Sequence, residues 1–145
     1  MSTRKGGWTY VINRFDGSVN FDRKWTDYKQ SFGNLSGEHW LGLDHLYELT
    51  SKFHFFCQKI LHSFCFYRLG TKPTELFFEL VDQDLKKVYA LYDDFQMGNE
   101  LESYRIKTVG QYRGDAGNSF KSQTEKFSTT DHGENIRCAD YHSKF

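Results

Sequence analysis

"SGEHWLGLDHLYELTSK", residues 36–52, carries the clearest periodicity in the chain. Leu43, Leu46, Tyr47 and Thr50 recur at intervals of three and four, which puts them on one face of a helix, and Asp44 sits near its start. Upstream, "DRKWTDYKQSFG" (22–33) repeats the pattern with Trp25, Tyr28 and Phe32 and stops at Gly33, predicting a first short amphipathic helix. Before that, "GGWTYVINRFDGSVNF" (6–21) alternates bulky and polar residues from Trp8 to Arg14 and breaks at Asp16-Gly17, a strand followed by a tight turn.

Downstream the period changes to two. "TELFFELVDQD" (74–84) alternates Leu76, Phe78 and Leu80 against Glu75 and Glu79. "KKVYALYDDFQMG" (86–98) carries Val88 to Tyr92, and "ESYRIKTVGQYRG" (102–114) sets Tyr104, Ile106 and Thr108 against Arg105 and Lys107. From Gly114 onward Gly, Asp, Asn, Ser and Thr dominate and periodicity is lost, so 114–145 is expected to be loop-rich. The order of strand, two helices, three antiparallel strands and loops is an α+β pattern.

The 145 residues suffice for one domain with a sizeable core. Nineteen Lys and Arg balance nineteen Asp and Glu, so no long-range field gathers the chain onto nucleic acid or an anionic membrane. "MSTRKGGWTY" has positive charges with no apolar run behind them, so no signal peptide is read there. Three cysteines leave at least one thiol without an internal partner.

These motifs together resemble the fibrinogen-related (fibrinogen C-terminal-like) domains of ficolins, tachylectins, tenascins and angiopoietins. The resemblance rests on "GGWT", the Asp-Gly-Ser turn and Gly-Glu-x-Trp-Leu-Gly-Leu within 6–52, on "TELFFELVDQDLKKVYALYDDFQMGNELESYRI" (74–106), on "GDAGNSF" (114–120), and on "KFSTTDHGENIRCADYH" (126–142). It implies a central antiparallel sheet with flanking short helices and a loop-rich C-terminal lobe beginning in 114–145. It also implies a secreted or extracellular, non-catalytic module that binds a glycan, an acetylated group or a protein receptor, with oligomers formed by the full-length parent. Residues 1–145 are expected to form a single partial domain, incomplete at both ends. The family's N-terminal cysteine pair and the downstream partner of Cys138 do not fall within the chain. The alternative is a truncated or mis-spliced product without an intact ligand site.

One segment has no counterpart in that resemblance. Between "LTSK" and "TELF", residues 53–72 bring Cys57, Cys65 and a cluster of aromatic side chains. A membrane helix is disfavoured, because Gln58, Lys59, His62 and Arg68 interrupt an apolar run short of the ~20 residues needed. His54/Cys57 and His62/Cys65 form two His-x-x-Cys pairs. On a helix they spread over about a third of the circumference, and the loop that separates ligand pairs in zinc fingers is missing. The segment reads as a packed hydrophobic excursion or a translated intron, and its lack of any pattern that serves the domain favours the second.

The candidate sites follow from the resemblance. "DHGENIRC" (131–138) falls where the family has a calcium loop, and here Asp131, Glu134 and Asn135 are left as a degenerate, shortened ligand set. Calcium takes about six to eight oxygen ligands, usually several of them carboxylates, so weak binding at most is expected. Tyr141 and His142 are the residues that match the lectin-like ligand pocket, although the glycine and tryptophans that normally follow are absent. Asn34-Leu35-Ser36 is an N-glycosylation sequon. For enzymatic readings, the acidic pairs Asp82/Asp84 and Asp93/Asp94 are turn formers by position. The chain carries no nucleophile elbow, phosphate loop or HExxH motif.

Overall fold

The computed structural model describes residues 8–51, 53–56, 66–69, 73–81, 84–118 and 125–136, with the backbone alone for 53–56 and 66–69. Two compact units emerge. One joins Met1–Leu46 to Ser128–Phe145, and the other is Tyr47–Phe127. Every strand pairing among the described residues is antiparallel, and with short helices beside the sheets the fold is α+β, as the sequence predicts.

In the first unit β1 (Ile12–Asn13), β2 (Phe32–Gly33) and β3 (His39–Trp40) form a sheet of order β1-β3-β2. Trp40 faces Ile12 on one side and Phe32 on the other. The expected first helix is α1, Trp25–Gln30. It ends at Gln30, two residues short of Phe32, because Phe32 and Gly33 are drawn into pairing with β3. Strands of two residues contribute few ladder bonds, and aromatic packing does the rest. Tyr28 and Phe32 meet edge-on at 5.1 Å, Phe21 and Phe32 at 5.1 Å, and Tyr28 and Trp40 at 5.6 Å. Such edge contacts are favourable beyond the area they bury. Two polar handles lock the cluster: Trp40 Nε1 donates to Tyr28 O at 2.7 Å, and Tyr28 Oη donates to Phe21 O at 2.8 Å.

Helix α2, Leu43–Thr50, continues from the first unit into the second. Leu43, Leu46 and Thr50 are buried and Tyr47 half-buried, the face the periodicity defines. The residue before it must be glycine. Gly42 has φ +106°, and a Cβ there would lie 1.6 Å from Gln30 O.

The second unit is built on β6 (Leu76–Val81) and β7 (Lys87–Tyr92), paired from Leu76↔Tyr92 to Val81↔Lys87, with β10 (Tyr112–Gly114) on the other side of β7. Ala90, Leu91 and Tyr92 are all buried, so the central strand is covered on both faces and simple alternation fails there. Leu80 and Val81 are half exposed, so the inward-facing set expected for β6 holds only for its first half. The third strand of this sheet is 112–114 rather than the alternating 104–108. Ser103 and Tyr104 adopt left-handed φ of 51° and 46°, which turns the chain and sends the Tyr104 side chain into the core. The remaining strand, β9 (Ile106–Thr108), pairs with β8 (Gln96–Met97) across a bulge.

Within residues 53–72, β4 (Phe53–Phe56) and β5 (Phe66–Leu69) pair with each other, Phe53 opposite Leu69 and Phe56 opposite Phe66, as a two-stranded sheet of their own. Cys57, His62 and Cys65 lie outside the described residues, as does the side chain of His54.

Candidate functional site

The loop from Phe15 to Val19 lies outside the strand ladders, and one distant side chain, Glu38, holds most of its amides. Glu38 is 1% exposed. Its Oε1 accepts from the amides of Phe15 at 2.5 Å, Asp16 at 2.8 Å and Gly17 at 2.9 Å, and its Oε2 from Val19 at 3.0 Å. The Val19 amide does most to lower the Glu38 pKa and burial opposes it. The amides of Gly17, Phe15 and Asp16 add to the lowering, and the carboxyl titrates at about 2 instead of 4.5. Asp16 Oδ1 in turn accepts from Ser18 N at 2.9 Å. The Asp-Gly-Ser turn and the Glu of Gly-Glu-x-Trp-Leu-Gly-Leu, far apart in sequence, are therefore two halves of one device.

Gly17–Val19 of the clamped loop, with Arg14 and Asn20–Asp22, line a shallow, open surface groove of about 470 Å³. Arg14 lies 4.9 Å over the Phe21 ring and Arg23 lies 5.2 Å over Phe32, so both guanidinium groups are held against aromatic faces. Tyr10 and Phe15 are about two-thirds exposed.

The calcium candidates are on the described part of the C-terminal loop. Asp131 Oδ1 accepts from Trp25 N at 2.9 Å and from Thr129 Oγ1 at 2.8 Å. Because Lys24 at the start of α1 makes no side-chain cap, Asp131 does that work from 106 residues away in sequence. The Trp25 amide is the main cause of a lowered Asp131 pKa, with burial opposing and the Thr129 hydroxyl assisting. The His132 ring packs on the Trp25 indole at 4.1 Å, and Asn135 N donates to Ser128 Oγ at 3.2 Å. One oxygen of the main carboxylate is thus already committed to a helix terminus. Among the described residues no three His, Cys, Asp or Glu side chains are grouped to hold a metal. Tyr141, His142 and Cys138 lie outside the described residues.

Asp93 and Asp94 act as turn formers, as their position in the sequence indicates. Asp93 Oδ1 accepts from Gln111 N at 2.7 Å, and Asp94 holds Gln96 through its side chain and Thr108 through its carbonyl. A capping box, Asn99 with Glu102, opens a short 3-10 turn at Glu100–Glu102. The Asn-x-x-Glu spacing was a readable signal for it. The role of Glu38 carried no such signal, because an isolated Glu between Gly37 and His39 gives no hint of burial.

Residues 1–143 match the family described as the C-terminal globular domain of fibrinogen beta and gamma chains, and the chain belongs to that family. It is 38% identical to mouse angiopoietin-related protein 1 over 141 residues, 94% of this chain and 25% of that protein. It is 40% identical to the bovine fibrinogen beta chain over 131 residues, 82% of this chain and 24% of that one. The fibrinogen-like globe domain of human ANGPTL6 superposes with a TM-score of 0.69 at 38% identity, covering 87% of this chain and 48% of that structure. The chain thus spans about a quarter of the length of these curated relatives. What fold and family define is a fibrinogen-like C-terminal globular domain.

Proposed function

We propose that this chain is the recognition module of an extracellular protein and that its ligand is a protein or peptide. The supporting observation is a likeness, with TM-score 0.60 and 34% identity over 79% of this chain, to lamprey fibrin D-dimer, whose structure is complexed with the peptide ligand Gly-His-Arg-Pro-amide. The open groove and preordered loop at 14–22 suit a macromolecular surface better than an enclosed small ligand. Recognition of glycans or acetylated groups would rest on Tyr141 and His142, and the angiopoietin-related likeness adds nothing in its favour. The test is binding of a tagged full chain to cell surfaces. Trypsin treatment of the cells is expected to abolish retention, and glycosidase treatment or free N-acetylglucosamine is expected to leave it intact. Elution by the sugar would overturn the reading.

For calcium at Asp131, Glu134 and Asn135 we propose weak affinity, about 10⁻⁴ to 10⁻³ M, because the helix cap competes for Asp131. Calorimetric titration checks this, and micromolar affinity would show that other ligands complete the site.

A further inference from the structure

We infer that Asn34 is an N-glycan attachment site whose hairpin turn is built to carry the sugar without disturbing the fold. The inference rests on the extracellular reading above, since the modification needs passage through a secretory compartment. The sequon Asn34-Leu35-Ser36 occupies the tip of the β2–β3 hairpin. Asn34 N donates to Glu38 O at 2.9 Å and Gly37 N donates to Asn34 O at 2.8 Å, which closes the turn. All three sequon residues are exposed, Leu35 to 75%. Gly33, with φ +87°, redirects the chain just before the turn, and any Cβ there would lie 2.3 Å from Glu38 O.

The side chain is also placed for the chemistry. Asn34 Oδ1 accepts from Ser36 N at 2.9 Å, an Asx turn that sets Asn34 and Ser36 together on the outer side of the hairpin. In the transfer, Nδ2 of Asn34 forms a bond to C1 of a lipid-pyrophosphate-linked oligosaccharide. The bond from C1 to the pyrophosphate oxygen breaks, the lipid pyrophosphate leaves with its electron pair, and the Nδ2 proton passes to a base of the transferase. In the folded product the bulky group extends from an exposed turn, while the aromatic cluster of Tyr28, Phe32 and Trp40 stays undisturbed beneath.

The experiment expresses the full chain behind a heterologous secretion signal in insect cells, so that compartment entry is imposed and a cytosolic origin of the native protein cannot mask the result. Intact-mass spectrometry is expected to show a glycan increment on the secreted wild type. Peptide N-glycosidase should remove it and leave an aspartate at position 34. Ser36→Ala is expected to lose the increment completely and Ser36→Thr to raise occupancy. Asn34→Asp keeps the oxygen that accepts from Ser36 N, so it should be secreted and folded but unmodified. A Ser36→Thr chain that passes through the pathway folded, with unmodified mass, would overturn the inference. If that happens while the wild type still binds cell-surface protein, the functional proposal survives it.

Discussion

The two compact units are held together by different means. In the second, six-residue strands β6 and β7 pair along their whole length, so backbone ladder bonds carry the architecture and the side chains are left to pack. In the first, the strands are two residues long, and order comes from side chains that reach across the sequence: Glu38 to four amides, Asp131 to the start of α1, and Trp40 to the carbonyl of Tyr28. A ladder is insensitive to the identity of most residues in it. A clamp depends on one atom group and on its ionisation. The first unit should therefore be fragile at single positions and in acid, and the second tolerant of both.

The sharpest way to break that contrast is Trp40→Ala, which deletes the residue shared by both strand pairings of the first sheet. It is expected to cost about 3–5 kcal/mol, measured as a fall in urea-unfolding free energy. Retention of wild-type stability would mean that the aromatic cluster is not the core of that unit.

Next in size is Glu38→Gln, which removes the charge and turns amide donors toward backbone donors. The native carboxyl titrates at about 2, below its ordinary 4.5. A depressed folded-state pKa gives stability that is present above about pH 4.5 and lost as the pH falls toward 2. Hydrogen exchange is expected to show the Phe15, Asp16, Gly17 and Val19 amides losing protection across that window in the wild type. In the Gln variant they should already be exposed at neutral pH, and β6–β7 amides should hold in both. Parallel loss in the two units would erase the distinction.

In the second unit a single polar deletion should matter less. Tyr92→Phe removes the hydroxyl that donates to Asn118 Oδ1 at 3.2 Å. It is expected to cost about 0.5–1.5 kcal/mol by thermal unfolding, with the buried ring still packed. Smallest of all, Lys87→Ala breaks an ion pair with Glu79 at 3.0 Å between exposed side chains. A change of about 0–1 kcal/mol is expected, and added salt should shrink it further. A larger, salt-independent loss would show that Lys87 contributes through packing on β6.

Much of this fold was readable in advance because the relevant signals are local. The helix faces of α1 and α2, the Asp-Gly turn at 16–17, the β6–β7 hairpin and the turn-forming Asp93/Asp94 all follow from spacing and from the chemistry of single residues. The candidate site was less legible. Asp131 could be picked out as an acidic loop residue, but its engagement by Trp25 could not, since that contact spans 106 residues.

By itself the sequence determined the α+β class, the family and the places of α1, α2, β6 and β7, because periodicity and turn chemistry act over a few residues at a time. The strand at His39–Trp40, inside the stretch expected to be helical, was not legible. Tertiary structure alone decided which strands share a sheet, why 112–114 displaces 106–108 beside β7, and what Glu38 is for. Those outcomes depend on which distant backbone groups are left without partners. A buried amide must find an acceptor wherever the fold brings one within reach.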